Sequence, residues 1–420
     1  MIKILVLNAG ISNKGNRALV TSTIRTIEDM VPNVEFSLMG PDKIDFEDLH
    51  IRKNPGLLSI NKPYYTFMSL KYLIQCFFIG SMERLNIKPP IPNEKSPLYD
   101  YYVCDVIINS GGDTISGETL FEPLYPLLNI YYGVLMNRPV ILYGESLGYF
   151  KNRIVKIIAK HILNKTSLII VREDLSKRYL DDIGVTKPSI YVTSDPAFLL
   201  EPASSTRVSE IFSKEGIPQF KKPLIGINPS GLISRYLKSN EQYTDEMISD
   251  TMAKVIDDLV ENLNADIVLI PHVYTSEVDD RKVIKSIFEK VENKSRVYVI
   301  TNEYTPQELK GIIGQCDLFI GMRMHATIAS TSMLIPTVGI AYSHKMYGII
   351  GKTLGQEKYI IDINQLSYHN LILKIYDAWN NKNEIKNELE VKVQSVKDKA
   401  LLNGVLVKNF LDKNLNYKTN

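Results

Sequence analysis

The chain has 420 residues, enough for two or three domains at roughly 100 to 200 residues each, which excludes a small disulfide-stapled scaffold. Apolar residues make up 45% and charged residues 23% with mean hydropathy near zero, the balance of an ordinary globular protein, which excludes global disorder. Basic residues number 49 and acidic residues 47, and a net charge of +2 is too weak a field to imply nucleic acid or an anionic membrane, so any charge-based function has to be local.

The first predicted element is a buried strand over residues 2–7, an apolar run too short for a signal peptide. With Cys76, Cys104 and Cys316 too far apart for a zinc-ribbon spacing and read as buried thiols, the expected location is the cytosol. A loop over 8–18 leads into a helix from about Arg17 in which Val20, Ile24, Ile27 and Val31 share one face. Strands at 34–38, 103–109, 140–143, 167–171 and 190–192, with helices at 125–136, 152–163 and 174–182, complete a doubly wound sheet. Residues 64–79 are greasy but broken by Lys71 and Gln75 and fall short of the ~20 residues a spanning helix needs. A buried helix or a dimer surface is the preferred reading of that stretch. The other is a peripheral contact with the inner face of the plasma membrane, since Arg84 and Lys88 follow it.

Residues 201–223 turn polar, with Pro202, a Ser-Ser-Thr run, Gly216 and Pro218, and are read as the linker between domains. Strands at 224–228, 267–270, 297–300, 318–320, 337–340 and 359–361 then alternate with helices near 244–263, 279–292, 306–314, 324–333 and 345–353. The expected architecture is α/β: a Rossmann-like domain over 1–205 facing a second one over 206–365 across a cleft, with C-terminal helices over 366–420 packing at the junction. The sequence carries no signal for oligomeric state.

In open α/β sheets ligands bind beyond the carboxyl ends of the strands, so the residues after each strand are the ones to weigh. After the first strand, Asn13, Gly15 and Asn16 lie in a small-residue loop at a helix N-terminus, which suits an anion. The alternative is a glycine turn capped by Asn. Gly10 and Gly15 have the P-loop spacing, but Asn16-Arg17 stands where Lys-Ser/Thr is required and GxGxxG is absent, so neither nucleotide fingerprint holds. Gly111-Gly112-Asp113, Glu145 and Arg172 follow later strands; the Arg172 fork suits a carboxylate or phosphate, or else pairs with Glu173 or Asp195. His272 follows a strand of the second domain, where a lone histidine is more often structural. The densest cluster is Gly321-Met-Arg323-Met-His325, with Tyr342-Ser-His344-Lys345 after the next strand. Arg323, His325 and Lys345 are expected to converge on one pocket. Neither segment contains an acidic residue, so the anion partner that buried cations need is expected to be a ligand.

The pattern Gly321-Met-Arg-Met-His325, Pro336, Gly339 and Tyr342-Ser-His-Lys345 resembles the C-terminal signature of the polysaccharide pyruvyl transferase family. Asn13-Lys-Gly-Asn-Arg-Ala18, Gly111-Gly112-Asp113, Gly144-Glu-Ser-Leu-Gly148, Arg172-Glu-Asp-Leu-Ser176 and Ser194-Asp195 extend the resemblance over roughly residues 1 to 365. The resemblance implies a GT-B-like fold and transfer of pyruvate from phosphoenolpyruvate to a sugar hydroxyl pair of a cell-surface glycan or its lipid-linked precursor, forming a cyclic ketal. It also implies His325 as the catalytic histidine and Arg172 and Lys345 as basic residues for activity and donor binding. Arg323 joins them by charge and placement. The family's first loop often carries an acid after its glycine, where this chain has Asn16 and Arg17.

On this reading three cations meet a donor that is a trianion when fully ionised, His325 protonates the donor's methylene carbon, and no cofactor or metal is required. His344 is the alternative shuttle. Glu145, Asp113, Asn13 and Asn16 are candidates for orienting or deprotonating acceptor hydroxyls. Two rivals remain at this stage: a glycosyltransferase of the same architecture using a nucleotide sugar, and a non-enzymatic glycan-binding member motivated by Asn16 and Arg17.

Overall fold

The computed structural model describes residues 1–10, 13–40, 51–55, 63–117, 123–218, 223–231, 245–275, 278–342 and 344–414. They form two compact units: Met1–Ile11, Leu19–Pro196 and Asp398–Asn420 in the first, Ser12–Ala18 and Ala197–Lys397 in the second. The predicted boundary at 205/206 thus moves to Pro196/Ala197. The second unit also takes the turn that opens the first helix, Lys14–Met30, and the last helix, Lys382–Asn414, divides between the units.

Each unit is built on one parallel sheet. In the first, strands β1 (Ile2–Leu7), β2 (Val34–Gly40), β3 (Ile51–Pro55), β4 (Val106–Asn109), β5 (Val140–Glu145), β6 (Leu168–Val171) and β7 (Ser189–Val192) lie in the order β3-β2-β1-β4-β5-β6-β7. In the second, β8 (Leu224–Asn228), β9 (Asp266–Leu269), β10 (Val297–Val299), β11 (Leu318–Gly321), β12 (Thr337–Ala341) and β13 (Ile360–Asp362) lie in the order β10-β9-β8-β11-β12-β13. Both orders reverse beside their first strand, the doubly wound Rossmann arrangement, so the chain is α/β with two Rossmann-like units. The reversal points, β1/β4 and β8/β11, are where such sheets place their ligands.

The strands are apolar because both faces of each sheet are covered. Along β1, Leu5 and Leu7 enter one core with Ile107, Leu142 and Ile169, while Ile4 and Val6 enter the opposite one with Ile108, Ile141 and Ile170. That second core is closed by Val20, Ile24 and Ile27 of the first helix and by Val407 and Leu411 of the last. Asn403 fixes the last helix in place: its Nδ2 donates to the Ser194 carbonyl (3.0 Å) and its Oδ1 accepts from Thr193 (2.6 Å).

Two expectations are corrected. Residues 201–223 are not all linker, because a helix runs over Ser205–Lys214: Ser204 caps it by accepting from the Arg207 N–H at 3.2 Å, and Val208 and Ile211 bury its inner face. The strand expected from residue 103 starts at Val106, preceded by the helix Leu98–Val103, because Tyr101 is drawn into the core against Tyr132 with its hydroxyl on the Asn129 carbonyl. Residues 64–79 lie within a helix, Pro63–Arg84; among the described residues no helix is long and apolar enough to cross a membrane. All three cysteines are free and buried.

Candidate active site

In the first unit, the reversal point carries a chain of buried amides that ends on a carboxylate. Asn129 Nδ2 donates to Asn8 Oδ1 (3.0 Å), Asn8 Nδ2 donates to Asn109 Oδ1, and Asn109 Nδ2 donates to Glu145 Oε1 (2.6 Å). Every amide in this chain gives one hydrogen bond and the polarity runs one way, so the bonds reinforce each other across the ends of β1, β4 and β5. Glu145 Oε1 accepts also from the Gly111 N–H at 2.8 Å. Glu145 Oε2 is buried and has no hydrogen-bond partner among the described residues. Burial pushes this carboxyl up to about 7 against the pull of the Gly111 amide and the Arg172 guanidinium, so it exchanges a proton near neutrality.

Arg172, at the end of β6, is wholly buried beside it. Its Nε donates to Ser146 Oγ (2.8 Å), its Nη1 pairs with Asp195, and Glu173 stands at 3.8 Å. The structural pairing considered for this arginine is therefore present, yet it leaves Nη2 buried and without a partner among the described residues. Gly112, at φ +76°, borders the guanidinium; a Cβ there would lie 3.6 Å from Nη1 and would strike Leu19. Asp113 braces its own loop by accepting from Ser116 Oγ at 2.6 Å.

A pH-dependent stability test follows from Glu145. Its folded pKa lies above its ordinary value of 4.5, so the folded state holds a proton that the unfolded chain has released, and wild-type stability falls as pH rises through about 7. Glu145→Gln has no such proton. Its stability relative to wild type is expected to rise between pH 4.5 and 7 by up to about 3 kcal/mol and to level off above that range. Urea unfolding across that range reads it, and a pH-independent difference contradicts the assignment.

The second unit is organised around Asp280, in the first turn of the helix Asp280–Lys290. Its Oδ2 accepts from the backbone N–H groups of His272 (3.1 Å) and Val273 (2.9 Å), its Oδ1 accepts from that of Gly231 (3.3 Å), and both oxygens meet the Arg323 guanidinium. One carboxylate thereby ties together the chain leaving β8, β9 and β11. Asn228, ending β8, completes the arrangement by accepting from the Arg323 N–H at 3.1 Å and donating to the Ile270 carbonyl at 2.8 Å. The expectation that a buried Arg323 needs a ligand as its anion is corrected: Asp280, outside both motif segments, is that anion.

His325 stands in the first turn of the helix Met324–Ser332, against Gly15. A Cβ built on Gly15 would fall 2.2 Å from its Nδ1 and 2.5 Å from its Cγ, so the imidazole rests on bare backbone and only glycine leaves it room. Asn13 caps this turn, its Oδ1 accepting from the Gly15 N–H at 2.9 Å, while its backbone pairs with Val273; the capped glycine turn is what the loop forms. Lys14 is buried, ion-paired with Glu303, and lies 5.1 Å over the Tyr274 ring. Asn16 is half-buried on the following turn. His272 is buried and held well below its ordinary pKa by desolvation and by His325, Arg323 and Lys14, which keeps it neutral. Lys345 follows β12, the strand paired with β11, and burial lowers it to about 8. The side chain of His344 lies outside the described residues.

The structure thus assembles Glu145 and Arg172 in the first unit, and Arg323, His325 and His272 around the Asn13–Gly15 turn in the second. Asn8, Lys14 and Asp280 are additions that sequence reasoning missed. Asn8 had a signal, a polar residue closing an apolar strand; Asp280 had none, since an acid beginning a helix is commonplace.

The model of the family described as polysaccharide pyruvyl transferase matches residues 13–344, which spans the Asn13–Gly15 turn, Arg172 and the His325 helix. The chain belongs to the polysaccharide pyruvyl transferase family. The amylovoran biosynthesis protein AmsJ of Erwinia amylovora is 25% identical over 292 residues, 68% of each chain. Among solved structures, the UDP-GlcNAc 2-epimerase of Methanocaldococcus jannaschii superposes with a TM-score of 0.63 at 14% identity, covering 97% of this chain and 100% of its own. HepE of Anabaena, in complex with UDP and glucose, superposes with a TM-score of 0.55 at 12% identity, covering 98% and 100%. These likenesses give the fold, two Rossmann-like domains of the GT-B-like class. Membership of the pyruvyl transferase family makes the protein a member of a transferase family linked to polysaccharide biosynthesis.

Proposed function

We propose that this protein transfers pyruvate from phosphoenolpyruvate to two hydroxyls of a glycan, or of its lipid-linked precursor, forming a cyclic ketal and releasing phosphate. The observation that carries the reading is the buried Arg172, whose Nη2 points to an anionic ligand because no protein acceptor meets it among the described residues. Lys345 adds a cation that loses its charge above about pH 8, and donor affinity falls with it. Arg323, already paired with Asp280, acts as a positioning residue that sets the first turn of the His325 helix.

The chemistry needs one proton delivered and two removed. His325 gives a proton to the methylene carbon of the donor, the adjacent carbon becomes electrophilic, and one sugar hydroxyl adds to it and loses its proton. The C–O bond to phosphate then breaks, and the second hydroxyl closes the ring and gives up its own proton. Glu145, poised near neutrality with one carboxylate oxygen that meets no hydrogen-bond partner among the described residues, is the acceptor for a hydroxyl proton.

His325→Ala is expected to abolish phosphate release from phosphoenolpyruvate across a panel of sugar acceptors, a loss of about 10²-fold or more, while unfolding behaviour stays that of wild type. Near-normal turnover by this variant contradicts the role.

A further inference from the structure

One side of the first unit carries a layer of three helices whose outer face the reaction does not use. The helix Pro63–Arg84 buries Tyr72, Cys76 and Ile79 and turns Leu70, Ile74, Phe77 and Phe78 outward, each at least half exposed. The spacing of these four places them on one stripe. The helix Arg153–Leu163 buries Val155, Ala159 and Ile162 in the same core and exposes Ile154 (58%) and Ile157 (69%). Between them lies the helix Leu124–Leu135, which packs against both; its Tyr131 ring meets His161 edge-on at 5.8 Å. All three bury their inner faces in one cluster on one side of the sheet, so their outer faces form one surface.

That surface is strongly biased in charge. Residues 151–165 hold Lys151, Arg153, Lys156, Lys160 and Lys165 and no acid, and Lys71, Arg84 and Lys88 border the Phe77 stripe. The one carboxylate between 64 and 88 is Glu83, which is spent on Arg138 at 2.9 Å. Large apolar side chains set among cations match a bilayer with anionic headgroups: the rings and aliphatic chains enter the headgroup boundary while the lysines meet the phosphates. A second copy of the chain is a poor occupant, because a two-fold contact sets this cationic face against itself.

We infer that the outer face of the helices Pro63–Arg84 and Arg153–Leu163 docks on the surface of an anionic phospholipid bilayer. The inference is independent of the donor, and its test needs no turnover. The full chain is floated with vesicles of phosphatidylcholine alone and with vesicles that also contain phosphatidylglycerol. Wild type floats with the anionic vesicles, less so as salt rises, and remains behind with the neutral ones. Phe77→Ser with Phe78→Ser, and separately Lys156→Glu with Lys160→Glu, each lower the bound fraction about tenfold, while Leu373→Ser, an exposed apolar residue of the second unit, leaves it unchanged. Circular dichroism of the variants matches wild type because the substituted side chains are exposed. Failure of wild type to float with anionic vesicles, equal flotation on neutral ones, or unchanged flotation of both double variants overturns the inference. So does a wild-type dimer in ultracentrifugation that the Phe77 and Phe78 variants dissociate without altering flotation.

Discussion

Gly15→Ala is expected to lower turnover nearly as far as His325→Ala, about 10²-fold or more, with stability lowered by about 1–3 kcal/mol, the range for overpacking. The added methyl carbon would sit 2.2 Å from the imidazole Nδ1 and 2.8 Å from the histidine Cβ, so a small movement of the ring tip does not relieve it. Rotation about χ1 leaves the His325 Cβ where it is, so the overlap is resolved by a shift of the turn that carries His325, which displaces the side chain proposed to transfer the proton. Alanine otherwise suits the position, which is within the first turn of a helix, so the loss is one of geometry. Phosphate release and urea unfolding of the same preparation separate the two effects. Full activity in Gly15→Ala shows that the imidazole does not work from this position.

Asp280→Ala is expected to cost about 3–5 kcal/mol, the penalty for leaving a buried cation without its counter-ion, and to loosen the β8, β9 and β11 loops together. Three backbone N–H groups lose their acceptor in the same step. Replacing both partners, Asp280→Leu with Arg323→Met, removes the unpaired cation and is expected to recover only part of that stability, since the three N–H groups still lack an acceptor, and no activity, because the turn that carries His325 is no longer fixed. Urea unfolding reads the first statement and phosphate release the second. The opposite outcome, unchanged stability and tighter phosphoenolpyruvate binding in Asp280→Asn, shows that Arg323 is held for the donor and that Asp280 competes with it.

The fold was readable in the sequence wherever strands are buried on both faces. The apolar runs read as strands at 2–7, 140–143 and 318–320 are strands in the structure, the first with the same bounds and the others carried on to Glu145 and Gly321. Strand β3 was not readable: Ile51–Pro55 is an edge strand with Arg52, Lys53, Asn54 and Pro55, residues that edges tolerate and that resemble a loop. The helix Ser205–Lys214 was hidden because its capping serine belongs to a run that looks like linker. For the site, position after a strand was enough to single out Glu145, Arg172, Arg323 and His325. It gave no access to what meets them. Asp280 reaches Arg323 over 43 residues of sequence, and Gly15 lies against His325 from the far end of the chain, partners that position after a strand does not reveal.

The donor is the centre of the account, and calorimetric titration of the purified protein with phosphoenolpyruvate and, separately, with UDP-glucose and UDP-GlcNAc tests it most directly. The expected result is saturable binding of phosphoenolpyruvate that weakens above pH 8 and is lost in Arg172→Met, with no binding of either nucleotide sugar. Saturable binding of a nucleotide sugar with no heat from phosphoenolpyruvate contradicts the account and makes the protein a glycosyltransferase of the same fold.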